Sequence, residues 1–198
     1  MNKKTKKTLI LSAIAVFALV ALDQITKYLA VVFLKNQPAI PIIKNVFELQ
    51  YLENQSAAFG MDPISLLHNI FSFEVFHKNP QLFLDVKMGF FIIATILILI
   101  FFVLVFHRIP AEKRFYFMDY ILNFFAAGAI GNFIDRISLN YVVDFFYFKL
   151  INFPIFNIAD IYVTCSAAAL IVLGLFYYKE EDFDRIFPSK EKGKRDEN

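Results

Sequence analysis

The chain has little of what most catalytic sites use, with one cysteine and three histidines in 198 residues. Cys165 lies inside an apolar run, so no intramolecular disulfide can form, and without a basic neighbour in sequence it reads as a packing residue. His68, His77 and His107 are scattered and lack the H-E-x-x-H spacing, so no metal site is expected. No G-x-S-x-G occurs, and neither Ser56 nor Ser166 has a histidine close in sequence, which leaves serine chemistry unsupported. The net charge is only +2 and no basic stripe alternates with exposed aromatics, so nucleic acid is excluded as a partner. Long stretches carry no charge at all.

What is present is hydrocarbon. Hydrophobic residues make up 58% of the chain, against roughly 45–50% in soluble domains, and the mean hydropathy is +0.55. The charged residues, 19% of the total, crowd into the termini and connections, the segregation a bilayer imposes. Four spans are expected, at about 9–32, 88–106, 118–137 and 155–178. The first follows Lys3, Lys4, Lys6 and Lys7 but runs past Ala21-Leu22-Asp23-Gln24 without an A-x-A exit, so it reads as a retained helix. The second is almost wholly Ile, Leu, Phe and Val. The third carries Asp119, Asn123, Asn132, Asp135 and Arg136, which something must shield from lipid. The fourth is polar only where it begins, at Asn157 and Asp160.

With four spans the basic clusters fall on one side: the N-terminal lysines, then Arg108, Lys113 and Arg114, then the lysine-rich tail. The positive-inside rule makes that side cytoplasmic and both termini with it. Residues 33–87 and 138–154 then face outward. Arg136 opposes this bias and is expected to be held by a carboxylate, with Asp135 beside it. Phe47-Glu48-Leu49-Gln50-Tyr51-Leu52 alternates as a strand does, predicting a small sheet at the membrane surface. The stretch 61–87 reads as an interfacial helix followed by a loop, and 179–198 as a mobile, dispensable tail. The fold expected is thus an all-α membrane domain over 1–178 with a small outward β element.

Ionisable groups in hydrocarbon cost several kcal/mol unless paired or wet, so they are functional candidates by default. Here they gather at one depth. Asp23 and Lys27 are spaced i, i+4; Asn132, Asp135 and Arg136 share a face; Asp144 follows; Asn157 and Asp160 open the last span. Helix-locking ion pairs would explain Asp23 with Lys27 and Asp135 with Arg136. They explain Asp144 and Asp160 less well, because two carboxylates at one depth repel unless they share a proton. Such a pair supplies an acid and a base from identical side chains and can hydrolyse an amide without metal.

The ordered set of Asp23 with Lys27, Asn54-Gln55-Ser56-Ala57-Ala58-Phe59-Gly60, Gly131-Asn132-Phe133-Ile134-Asp135-Arg136, Val142-Val143-Asp144-Phe145 and Phe156-Asn157-Ile158-Ala159-Asp160 resembles bacterial lipoprotein signal peptidase, the signal peptidase II family. The resemblance runs from Leu22 to about Gly174. It implies a cofactor-free aspartyl endopeptidase of the bacterial cytoplasmic membrane, with its site near the outer face. Asp144 and Asp160 would be the catalytic dyad, and Asp23, Lys27, Asn54, Asn132, Asp135, Arg136 and Asn157 would support the site or hold substrate. The substrate implied is a diacylglyceryl-modified prolipoprotein, cut just before the lipidated cysteine, with membrane lipids as the other partner. The outward strands and the segment after Phe59 would cover the site. Ser56 departs from the glycine usual there, and 61–87 is longer than is typical. A small transporter or channel subunit is the rival reading, disfavoured because the cytoplasmic halves of the second and fourth spans offer no polar path. Presenilin-type proteases are excluded by the lack of G-x-G-D.

Overall fold

A computed structural model describes residues 4–56, 62–71 and 73–188. Among these residues four helices are long and apolar enough to cross a membrane. The first, α1 (Lys6–Leu34), starts where Thr5 caps the backbone N–H of Thr8. At 1.5 Å per residue its 29 residues reach about 43 Å, longer than the ~30 Å hydrocarbon core, so both ends stand in the headgroup layers. It leads into β1 (Ile40–Ile43) and β2 (Phe47–Asn54), then two short helices, α2 (Pro63–Phe71) and α3 (Glu74–Lys78). The second span, α4 (Pro80–Arg108), is followed by a 3-10 turn (Lys113–Phe115) and α5 (Tyr116–Leu139). After β3 (Val142–Tyr147) come a second 3-10 turn (Lys149–Ile151), α6 (Ile158–Phe176) and α7 (Glu180–Ile186).

Three boundaries differ from the sequence expectation. Helix α4 begins at Pro80, eight residues before the apolar run, because Asn79 caps Leu82 and Pro80 is pre-set for the first helical turn. Gln81, Asp85 and Lys87 lower the hydropathy there without breaking the helix. Helix α6 begins at Ile158 and not at 155, since Asn157 and Asp160 form a reciprocal capping box. The region expected to be mobile from 179 instead contains α7, whose Ile186 is buried against Val105, Ile109, Phe115 and Tyr178. Arg114 grips Asp182 with Nε at 2.7 Å and Nη2 at 2.5 Å, a fork-shaped pairing hydropathy cannot reveal. The remainder of that expectation, 189–198, lies outside the described residues, as do 57–61 of the outward segment.

α5 is the hub of the bundle. Of its spanning window 44% is buried, against 6, 11 and 17% for the other three, which is why it alone tolerates so many polar residues. Gly128 lets α6 approach: a Cβ there would stand 2.5 Å from the Ala159 carbonyl. Most other helix faces carry exposed Leu, Ile, Phe and Val, with Phe176 83% exposed, the surface a lipid solvent requires. At one end of the bundle lies the α7 cluster. At the other, an antiparallel sheet in the order β1-β2-β3 packs on Ala30 and Leu34 through Val143 and Phe145. The alternating strand expected at Phe47–Leu52 is β2, extended to Asn54. β3 shows no such alternation because Val142, Val143, Asp144 and Phe145 are all buried.

Candidate active site

The polar residues singled out above converge where α1, α5 and α6 meet β2 and β3. Their arrangement follows from helix ends. The first turn of α6 has backbone N–H groups with no helical partner, and three side chains organise it. Asp23, fully buried on α1, accepts from the Ala159 N–H at 3.0 Å. The Asn157 side chain accepts from the Asp160 N–H at 3.0 Å, and Asp160 Oδ2 accepts from the Asn157 N–H at 3.2 Å. A carboxylate is favoured at this positive helix end.

Lys27 joins α1 to α5. Its ammonium lies 3.0 Å from Asp23 and 3.1 Å from Asp135, and donates to Asn132 Oδ1 at 2.8 Å. Asp135 in turn accepts from the Val143 N–H at 3.0 Å, which pins β3 beside α5 and so places Asp144. Gln24 completes this layer, donating to Asp135 at 3.0 Å and to the Gly131 carbonyl at 3.2 Å. A side chain at Gly131 would collide with the Asp23 carboxylate.

Asp144 and Asp160 have no such counterion among the described residues. Asp144 Oδ2 accepts from Asn54 at 2.7 Å and Oδ1 from the Asn157 amide at 2.7 Å. Asp160 Oδ1 accepts from Asn132 at 2.8 Å. The two carboxylates are not hydrogen-bonded to each other; Asn157, fully buried, touches both. Burial, and then the charge of Asp160, push the Asp144 carboxyl up to about 7. Such a pair can hold one proton at neutral pH, leaving one acid and one base. Beside Asp160 a pocket of about 210 Å³ opens along α6, walled by Phe153, Ile155, Phe156 and Ile161 and floored by Thr164 and Cys165.

The nine residues selected from sequence are thus brought together, with one pairing corrected. Arg136 has no carboxylate within ion-pair range among the described residues. It donates to the carbonyls of Ser56 at 3.1 Å and Asn132 at 3.4 Å, stacks 5.1 Å from the Phe91 ring, and its Nε–H has no partner among the described residues. Asp135, adjacent in sequence, turns instead to Lys27 and Val143, because successive residues of a helix point about 100° apart. Ser56, despite replacing glycine, keeps the turn by donating its N–H to Asn54 Oδ1 at 2.8 Å. Gln24 and Gly131 were missed by sequence reasoning. An amide next to Asp23 inside an apolar span was the available signal for Gln24.

This geometry has relatives. The family model described as "Signal peptidase (SPase) II" matches residues 15–176. The lipoprotein signal peptidase of Caldanaerobacter subterraneus subsp. tengcongensis is 37% identical over 166 residues, covering 83% of this chain and 96% of that protein. That of Brevibacillus brevis is 36% identical over 154 residues, covering 78% and 87%. Two solved structures of bacterial membrane enzymes, obtained by the in meso method, superpose with a TM-score of 0.65. The one at 1.9 Å is 31% identical and covers 90% of this chain and 99% of its own. By family model, by relatives and by fold, the chain belongs to the signal peptidase II family.

Proposed function

We propose that this chain is an aspartyl endopeptidase that removes the signal peptide from diacylglyceryl-modified prolipoproteins, cutting before the lipidated cysteine, with Asp144 and Asp160 as the dyad. The observation that carries the assignment is a division of labour among four carboxylates. Lys27 is ion-paired with both Asp23 and Asp135, whereas Asp144 and Asp160 have no ion pair among the described residues, are held by amide donors, and feel Lys27 only at longer range. The first two hold helices together. The second two are left for chemistry.

Asp144 holds the proton, because it is buried away from any helix end whereas Asp160 sits in the first turn of α6, where the positive helix terminus favours the ionised form. Asp160, at the α6 N-terminus, is the base. In the first step Asp160 takes a proton from water, the water oxygen bonds to the scissile carbonyl carbon, and Asp144 gives its proton to the carbonyl oxygen. In the second the C–N bond breaks, the leaving nitrogen takes the proton from Asp160, and Asp144 recovers its own from the collapsing hydroxyl. Atoms and charge balance without metal. Asn157 touches both carboxyls, and Arg136, whose Nε–H has no partner among the described residues, is suited to hold a substrate carbonyl.

The substrate is itself a membrane-spanning peptide with lipid chains at one end, so its scissile bond lies at the membrane boundary. The site lies at the sheet end of the bundle. Lys6, Lys7, Arg108, Lys113 and Arg114 lie at the opposite end, which supports a bacterial cytoplasmic membrane location with the termini cytoplasmic and the site near the outer face. The test is turnover of a purified lipidated precursor peptide by Asp144→Asn and Asp160→Asn. Each is expected to remain folded and to lose at least ~10³-fold in kcat, the scale of removing one member of a catalytic pair. Near-normal turnover by either removes the dyad from the mechanism.

A further inference from the structure

α1 and α4 both pack on α5 but barely touch one another. The gap is a lateral groove of about 910 Å³. One wall is the α1 stripe Leu9, Ser12, Ala13, Val16, Phe17 and Val20, whose i, i+3, i+4 spacing puts them on one face. Phe102, Phe106 and His107 of α4 form the other, and Ala126 and Ile130 of α5 the floor. Two polar floor and wall groups satisfy each other, Asn123 donating to Ser12 at 3.1 Å, so apart from His107 at its terminal end the groove offers a ligand hydrocarbon.

The charge at its terminal end identifies the occupant. The α1 wall from Leu9 to Val20 extends about 16 Å at 1.5 Å per residue and stops one helical turn short of Asp23, while the α5 floor continues through Ile130 to Ile134, next in sequence to Asp135. At the terminal end Lys4 bridges the walls, its ammonium 3.3 Å from the Phe106 ring centroid and paired with Asp119 of α5. That pairing neutralises the acid facing the groove mouth. Lys6, one turn before Leu9 on the same stripe, and Arg108, next to His107, have no ion pair among the described residues. Glu112 and Asp182 at this end are paired with Arg185 and Arg114; Glu180, Glu181 and Asp184 belong to α7, beyond the end of α6.

We infer that the α1–α4 groove is a binding site for an anionic phospholipid of the termini-side leaflet, its acyl chains along Phe17 and Phe102 and its phosphate at Lys6, His107 and Arg108. The chain has no tryptophan, so a single indole reporter can be introduced. Phe17→Trp places it in the groove and Phe176→Trp on the lipid-facing surface of α6 as control; Val103→Trp is a second groove reporter on the facing wall. The full-length protein is reconstituted in phosphatidylcholine with a low mole fraction of acyl-brominated phosphatidylglycerol, and quenching is read. Fluorescence of the Phe17→Trp variant is expected to be quenched several-fold beyond its bulk share, on the scale of roughly fivefold for each cation engaged, while the Phe176→Trp control follows the bulk composition. Adding Lys6→Gln with Arg108→Gln to the groove reporter is expected to remove the excess. Equal quenching of the groove and control reporters by the anionic lipid, or quenching of the groove reporter just as strong with brominated phosphatidylcholine, overturns the proposal. So does displacement by a lipid-free signal-segment peptide, which would give the groove to substrate. None of these readings depends on peptide hydrolysis.

Discussion

Asn54→Ala probes whether Asp144 is the group that must keep its proton. The Asn54 amide donates to Asp144 Oδ2 at 2.7 Å and thereby favours the ionised form, working against the burial that pushes this carboxyl up to about 7. A hydrogen bond to a charged group is worth about 1.5–3 kcal/mol, and one pKa unit is about 1.36 kcal/mol. Its loss is therefore expected to raise the Asp144 pKa by about one to two units. Since the proposed mechanism needs Asp144 protonated, the alkaline fall of kcat/KM, expected near pH 7 in the wild type, is expected to move to about pH 8–9. The absolute rate will also drop, because Asn54 orients the Ser56 turn, but the position of the limb is independent of that loss. The assay is kcat/KM against pH with a fluorogenic lipidated precursor, with thermal unfolding in detergent recorded at each pH. A limb that stays in place, or moves to lower pH, refutes Asp144 as the proton holder. The same shift has a stability consequence of fixed sign. Between the unfolded value of 3.8 and about 7 the folded protein binds a proton the unfolded chain does not, so this contribution is full below pH 3.8 and is lost as pH rises through 7.

Lys27→Met leaves Asp23 and Asp135 without their cation and is expected to cost about 3–5 kcal/mol, read as a large fall in thermal unfolding temperature in detergent; adding Asp23→Asn is expected to recover part of it, and additive losses would contradict the shared ion pair. Arg136→Met removes a buried cation that has no ion-paired carboxylate among the described residues, so stability is expected to change by less than about 1 kcal/mol while KM for the precursor rises; a loss as large as that of Lys27→Met would mean a hidden carboxylate partner. Truncation after Pro188 is expected to be silent, whereas truncation after Tyr178 removes Ile186 and the Asp182–Arg114 contact and is expected to cost about 2–3 kcal/mol in the same measurement; equal stabilities would show that α7 does not support the bundle.

The order of residues was enough to locate the spans and the family and to single out the polar residues that the fold brings together. A bilayer separates apolar from polar sequence so sharply that Asp23, Asn132, Asp144 and Asp160 stand out from their surroundings. Hydropathy was silent where helices continue beyond the hydrocarbon. The Pro80 start of α4 and the Glu180–Ile186 helix rest on caps and a bidentate ion pair, not on apolar periodicity.

Which partner each carboxylate meets depended on how distant elements pack. Asp135 and Arg136 are neighbours in the chain, yet one faces Lys27 of α1 and the other faces carbonyls and Phe91. Asp144 and Asp160 are linked through Asn157, a contact that exists because a strand on one side and a helix N-terminus on the other converge on a single amide. Charge in a low-dielectric interior is governed by what lies within a few ångströms, and those neighbours come from elements far apart in sequence.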